Sequence, residues 1–317
     1  MAATFIAEAI AMAVVYLYGS IGESIIEKGG SLNLGIPGIM ALGALGGVIG
    51  VNVYYTCFST VYQAVLIIFC ILFAFLLAAS GGALFALFTV TFQANQNVTG
   101  LVLTTFGVGL MQFIGTNMDT SHLVEASKFV STLFTGYESL GWFGTVFCSY
   151  GILVYLAIIL AIGATIFLSK SKHGLYLRAV GESPATADSQ GISVARYRYL
   201  SVIIGSGIAG LGGLYYVLDK SGGTTFVEAN IEAFGWMAIA LVIFSMWKPG
   251  YCMIGSFLFG ALYILPSYLS VSNVMLKFFE ILPYLFTIIV LIITSLFKFK
   301  SSRPPKSLGV NYYREDR

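Results

Sequence analysis

Residues 170–213 read KSKHGLYLRAVGESPATADSQGISVARYRYLSVIIGSGIAGLGG, a polar and basic stretch that passes into an apolar, glycine-rich one. Upstream, Phe147 to Leu168 is almost wholly apolar, and downstream the apolar run extends from Tyr199 to Leu218. At about 1.5 Å per residue, each run is long enough to cross a hydrocarbon core of roughly 30 Å. The segment between them carries Lys170, Lys172, Arg178, Arg196 and Arg198. The positive-inside rule therefore places it in the cytoplasm. A loop spanning 170–198, of helix-forming sequence interrupted at Gly181-Glu182-Ser183-Pro184, reads as a docking element on a membrane protein.

Composition agrees. The chain is 58% hydrophobic and 9% charged, with a mean hydropathy of +0.89, whereas soluble domains carry about 25% charged residues. The expected fold is all-α, a polytopic transmembrane helical bundle. The net charge of +2 matters less than its distribution. Basic residues gather in the 170–198 loop, at Lys248 and in the C-terminal tail, while Asp119, Glu125, Glu138, Asp219, Glu228 and Glu232 fall between them. That segregation puts the C-terminus on the cytoplasmic side of the membrane. The first apolar run lacks a basic leader and an obvious small-residue cleavage site, so no cleavable signal peptide is expected. Cys57, Cys70, Cys148 and Cys252 are scattered and read as packing residues, with no metal or redox site.

Spans are expected near 4–22, 33–53, 61–92, 97–117, 146–168, 199–218, 233–247, 251–270 and 279–297. The 61–92 segment is long for one span and contains Ser80-Gly81-Gly82, so it reads as one piece or two and the count as nine or ten. Residues 1–297 form one membrane domain. Residues 298–317 form a basic cytoplasmic tail, broken at Pro304-Pro305 and expected to be solvated.

Small residues recur at helical spacing: Gly43 and Gly47, Gly46 and Gly50, and the stripe Ser201, Gly205, Ala209 and Gly213. Such stripes let helix backbones approach closely where lipid supplies no drive for association. Gly205-Ser206-Gly207-Ile208-Ala209-Gly210 fits a dinucleotide-binding pattern, but that pattern needs a preceding strand, and here it lies inside an apolar run. No Walker-type phosphate loop occurs, and His122 and His173 fall in loops on opposite sides. Nothing reads as catalytic, and the chain is not expected to be an enzyme.

Uncharged polar groups within the apolar domain are the candidates for solute contact, because each costs free energy unless it finds a partner. Asn33 precedes Gly35, Pro37 and Gly38, which predict a late-starting or broken helix. It reads either as a hinge or as a solute contact. Gln93, Asn95, Asn97 and Thr99 form a second cluster, read either as part of a substrate path or as a turn in which Asn97 caps the next helix. Glu8 stands alone in the first span and reads as a proton relay, a buried hydrogen bond or an interface-facing group. Glu23, Glu27 and Lys28 are expected in a loop near the membrane surface.

Three segments then resemble a known family. Gly22-Glu23 and Ile26 to Met40 (IEKGGSLNLGIPGIM) are similar to the GE…ERSG…LNLGxEGxM signature of permeases of bacterial ABC importers. Leu177 to Asp188 with Gly191-Ile192 resembles the coupling segment LRAVGENPxAAxxxGI. Phe226-Val227-Glu228 with Gly235 to Phe244 resembles FVEGxTxGRGFIALAxVIFG. These belong to the ribose and branched-chain amino acid permease superfamily, and the nearest branch takes up nucleosides and simple sugars. Pro37 stands where that branch has glutamate, and Ala233-Phe234-Gly235 lacks its arginine. Both departures touch substrate identity, and neither touches the coupling segment.

The resemblance implies an ATP-driven importer subunit that translocates nucleosides, in the first instance purine nucleosides, delivered by an extracellular binding lipoprotein. Ribose, galactose or riboflavin are the alternatives, and a proton-coupled secondary transporter is the rival of another class. It also implies a cytoplasmic coupling helix over Gly181, Glu182, Ser183, Pro184, Ala185, Thr186, Ala187, Asp188 and Gly191, fitting a groove on a separate ATPase subunit. Ser183-Pro184 starts that helix and Gly191 ends it. The partners implied are the ATPase, a second homologous permease or another copy of this chain, the lipoprotein and the bilayer, with no nucleic acid. ATP and Mg are left to the ATPase, and no cofactor is bound by this chain.

Overall fold

The computed structural model describes residues 2–269 apart from 59, 132 and 226, scattered positions between 275 and 292, and residues 304–313. Hydrocarbon offers no partner for a backbone N–H or C=O, so an apolar chain must close its hydrogen bonds within helices or a closed barrel. The described residues form helices and no strand. In chain order these are α1 (Ala2–Lys28), α2 (Ile36–Cys57), α3 (Gln63–Ala86), α4 (Gln96–Gly115), α5 (Leu123–Ser131), α6 (Gly141–Phe147), α7 (Ile152–Lys170), α8 (Lys172–Glu182), α9 (Pro184–Ser189), α10 (Val194–Tyr215), α11 (Glu228–Phe244) and α12 (Pro249–Tyr268).

Seven described helical segments are long and apolar enough to cross a membrane. The expected span at 233–247 corresponds to α11, whose 17 residues make it shorter than those seven. The expected span at 279–297 lies outside the continuously described residues. The two-piece reading of 61–92 is corrected. α3 runs unbroken past Ser80-Gly81-Gly82 and ends in a π turn over Leu87–Thr91. Its glycines serve packing instead: a Cβ at Gly82 would strike Ser206 of α10.

α1, α2 and α10 form the interior. Between 72% and 83% of their apolar windows is buried, against 39% or less for α3, α4 and α12. Close backbone approach explains how three helices share one axis region. Gly43 of α2 lies against the backbone of Gly210 of α10, and Gly22 of α1 lies against the Gly205 carbonyl. Gly213 meets the carbonyl of Met40, so the stripe along α10 faces both inner neighbours. Buried tyrosines close their hydroxyls on helix carbonyls: Tyr18 donates to the Leu153 carbonyl at 2.7 Å and Tyr215 to that of Ala11 at 2.8 Å.

The two ends differ. At one, Phe5 of α1 meets Tyr268 of α12 edge-on with centroids 5.2 Å apart, and Glu8 is exposed one turn along. At the other, Lys28 at the end of α1 lies against Gly181 at the end of α8. The start of α1 and the α8–α9 hairpin therefore occupy opposite ends.

Gly43→Val should lower the unfolding temperature in detergent, with a loss of about 1–3 kcal/mol, because the new Cβ has only α10 backbone to displace. Gly163→Ala, at a position with nothing within 4 Å of the added Cβ, should be neutral or slightly stabilising. Equal melting of both variants would remove the stripe as the packing determinant.

Candidate functional site

The end that carries α9 holds most of the expected site residues, and it is built by caps. Ser171 accepts from the Gly174 amide at 2.9 Å and starts α8. Ser183 accepts from the Thr186 amide, Pro184 occupies the first helical position, and Gly191 at φ +77° ends the turn beyond α9. The amides of Gly191 and Ile192 return to the carbonyls of Asp188 and Ala187 at 2.9 and 3.0 Å. α9 thus has the start and stop expected for it. Its faces are not equivalent, however. Ala187 is buried with Val180 and Val194, whereas Glu182, Ala185, Thr186 and Ser189 are exposed.

The α8–α9 hairpin is tied to the junction of α1 and α2. Gly181 leaves no room for a Cβ against the Lys28 carbonyl and the Gly30 amide, and Gly30 itself sits at φ +87°. Residues 304–313 complete the tie, which corrects the expectation of a solvated tail for this part of it. Ser307 is buried and donates its amide and its hydroxyl to the Gly181 carbonyl at 3.0 and 2.6 Å. The Gly309 amide donates to the Gly30 carbonyl at 3.2 Å. Tyr312 donates its hydroxyl to Asp188 Oδ2 at 2.9 Å, and Asn311 donates to the Gln93 carbonyl at 2.6 Å.

α2 starts late, at Ile36, as Gly35 and Pro37 predict. Asn33 is fully buried; its Oδ1 accepts from the Gly35 amide at 2.9 Å and its own amide donates to Glu23 Oε1 at 3.3 Å. Glu23 and Glu27 are not in a surface loop. α1 continues through both, they are 0% and 2% exposed, and the Trp247 indole N–H donates to Glu27 Oε2. Met246 and Trp247 both adopt left-handed backbone, at φ 55° and 56°, a conformation that costs of order 1–3 kcal/mol per residue and persists only where its surroundings hold it.

The Gln93–Thr99 cluster divides. Asn95, not Asn97, caps α4, accepting from the Val98 amide at 3.1 Å. Asn95 and Asn97 are exposed, Thr99 is half-buried, and Gln93 holds left-handed backbone at φ 55°. The residue the pattern misses is Gln96, which accepts from the Leu32 amide at 2.7 Å and donates to Asn311 at 3.1 Å. Glu23 and Glu27 carry a readable signal, being four apart and hence on one helix face. Ser307, Asn311 and Tyr312 carry none, because their partners are distant in sequence. No group of three or more metal-ligating side chains occurs among the described residues.

Compared with known proteins, residues 5–294 match the family described as branched-chain amino acid transport system / permease component. A putative glucose ABC transporter permease protein of Haloferax volcanii is 33% identical over 79% of this chain and 73% of its own length. A nucleoside ABC transporter permease protein of Lactococcus lactis is 32% identical over 94% and 93%. A guanosine ABC transporter permease protein of Bacillus subtilis is 28% identical over 94% and 92%. No solved structure matches.

Glu27→Gln should fold close to the parent, since its amide oxygen still accepts from the Trp247 indole. Glu27→Leu should lose about 1–3 kcal/mol through the orphaned indole N–H. Comparable thermal unfolding of the two variants would show that the Glu27–Trp247 hydrogen bond does not hold this end together.

Proposed function

This chain belongs to the branched-chain amino acid transport system / permease component family, and we propose that it is the subunit through which a nucleoside, in the first instance a purine nucleoside, crosses the membrane. As an ABC permease it is a transport subunit and not an enzyme, and such permeases work with an ATPase and a solute-binding protein. In our reading ATP and Mg are handled wholly by that ATPase, and this chain binds no cofactor.

The observation that carries the reading is the α8–α9 hairpin. Its exposed edge, centred on Ala185, is narrow and small, while its buried edge is fastened through Gly181 to the α1–α2 junction. Pressure applied to Ala185 therefore reaches two interior spans through backbone contact, without a compliant side chain between. We place this end in the cytoplasm, because Lys170, Lys172, Arg178 and Arg196 lie on it and the positive-inside rule applies. With the start of α1 at the opposite end, nine spans and an extracellular N-terminus follow.

The substrate assignment rests on the relatives named for nucleoside and guanosine transport, both similar over nine-tenths of the chain. A simple sugar is the second reading, and the relative named as a putative glucose permease favours it. We place the solute route on the α4 flank, between this chain and a second permease, where a hydroxylated solute meets Asn95, Asn97 and Thr99. Asn33 and Gln93 shape that route through the backbone turns they hold. Neutral amides and hydroxyls suit it, since they hold a solute weakly and carry no charge at membrane depth.

The test is uptake by the complete complex in proteoliposomes, with radiolabelled guanosine, glucose as competitor, ATP on the ATPase side and a protonophore present. Guanosine uptake should require ATP, survive the protonophore and resist glucose. Uptake abolished by the protonophore while ATP is plentiful would overturn the mechanism, and competition by glucose alone would move the substrate to the sugar reading.

A further inference from the structure

Glu23 and Glu27 stand one turn apart on the same face of α1, 0% and 2% exposed. Neither takes part in the proposed coupling or solute route. Their partners are few and unevenly shared. Glu27 Oε2 accepts from the Trp247 indole, and the adjacent Lys28 supplies a positive charge. Glu23 Oε1 has the Asn33 amide alone, at 3.3 Å, and its Oε2 has no donor among the described residues. The group that does lie within hydrogen-bonding reach of the Glu23 carboxyl is the Glu27 carboxyl.

Two ionised carboxylates cannot hydrogen-bond to each other, because both are acceptors only. Buried side by side they also repel, in surroundings that screen charge far less than water does. The other charged and titratable groups at this end do not relieve the pair. Arg178 and Glu182 of α8 and Lys248, ahead of α12, act on Lys28. Arg198 of α10 lies against Gly30, and the Cys252 thiol of α12 contacts the Ser24 hydroxyl at 3.6 Å. One proton resolves the arrangement. It turns one acceptor into a donor and leaves a single negative charge beside Lys28. The partners decide which carboxyl holds it. Glu27 keeps two that suit a carboxylate, the indole N–H and Lys28, whereas Glu23 has one long amide contact and an oxygen without a donor.

We propose that Glu23 is a neutral carboxylic acid at physiological pH and donates its proton to the Glu27 carboxylate, so that one bound proton joins the Asn33 turn to the Trp247 turn. Glu23 reaches the backbone at Asn33, just ahead of α2, and Glu27 reaches Trp247, whose left-handed backbone persists only where its surroundings hold it. The proton is a fixed part of the structure and does not travel with solute. Its loss at alkaline pH leaves like charges facing each other, and the α1–α2 junction then loosens from the turn ahead of α12. The end of the bundle that carries α9 is thereby sensitive to pH. The inference depends neither on what solute the subunit carries nor on ATPase docking.

The first measurement is infrared absorption of the full-length chain in a neutral detergent at about pH 7. A protonated carboxyl absorbs above the amide I band and a carboxylate below it. The parent should show the acid band, and glutamate isotope-labelled at its carboxyl carbon should displace it. Glu23→Gln should lack the band and melt at or above the parent, because its amide nitrogen donates to Glu27 as the acid does. The second measurement is thermal unfolding between about pH 6 and 8. Above the ordinary glutamate value of about 4.3 the unfolded chain has released this proton while the native state keeps it, so stability falls as pH rises. Relative to Glu23→Gln, the parent should lose about 2–4 °C of melting temperature per pH unit.

The absence of an acid band that the glutamate label moves overturns the proposal. So does a band that persists in Glu23→Gln, or melting temperatures of the two proteins that run parallel across the pH range. Should Glu23→Gln not fold, the labelled parent decides, since Glu23 and Glu27 are the buried glutamates among the described residues.

Discussion

Everything at the α9 end depends on how closely α1, α2 and α10 approach one another. In hydrocarbon, burying a leucine between helices gains little, because lipid tails are as apolar as leucine. Association then rests on dispersion contacts, which reward only short distances. Gly43 against Gly210 and Gly22 against Gly205 bring three backbones into contact near the bundle axis. Once those backbones are fixed, the loop from Gly29 to Gly35 has one place to go. It is enclosed by α4 through Gly100 and by α11 through the contact of Gly235 with Pro37. A polar loop buried there must satisfy its own groups, and Asn33, Gln96, Thr104 and Glu23 do so for the amides and carbonyls of residues 32–35. Packing thus forces the polar network, and the network in turn holds the late start of α2.

The same logic explains why residues 304–313 are not left in solvent. Gly181 and Gly30 meet with no side chain between them, which exposes their carbonyl oxygens to the end of the bundle. Ser307 and Gly309 donate to those carbonyls and close that end. A tail so fastened makes α9, the α1–α2 junction and the Gln93 turn one body. Its Tyr312 bridges to Asp188 on α9, and its Asn311 bridges to both Gln93 and Gln96. α9, the entry of α2 and the start of α4 are thus held by one set of hydrogen bonds, the arrangement that our proposal of a coupling role for α9 draws on.

The parts of this arrangement that are local in sequence are legible in the residues themselves. Ser183-Pro184 and Gly191 mark the ends of α9, the stripe in α10 announces close packing, and Gly35 and Pro37 announce a late helix. These signals work because caps and glycines act over a few residues. The misleading signals share the opposite property. Glu23 and Glu27 read as surface-loop residues because carboxylates seldom sit inside an apolar bundle. Their reason for being there, Trp247 and the Asn33 amide, comes from other segments of the chain. The tail reads as solvated because it is basic and contains two prolines, although Ser307 and Asn311 find partners far away in sequence. Asn97 qualifies as a cap as well as Asn95 does, so a run of amides leaves the helix start two residues adrift. Ala187 belongs to α9 as expected, but only the packed structure shows that it faces inward and Ala185 outward.

The central claim is that the Ala185 edge of α9 receives the ATPase. A photoreactive phenylalanine analogue at Ala185, an exposed position, tests it directly in the assembled transporter. The account predicts a covalent adduct with the ATPase subunit on illumination, and none when the analogue replaces Trp142, which is exposed in α6 at the opposite end. An adduct from Trp142, or an assembled and active transporter that gives none from Ala185, would contradict it.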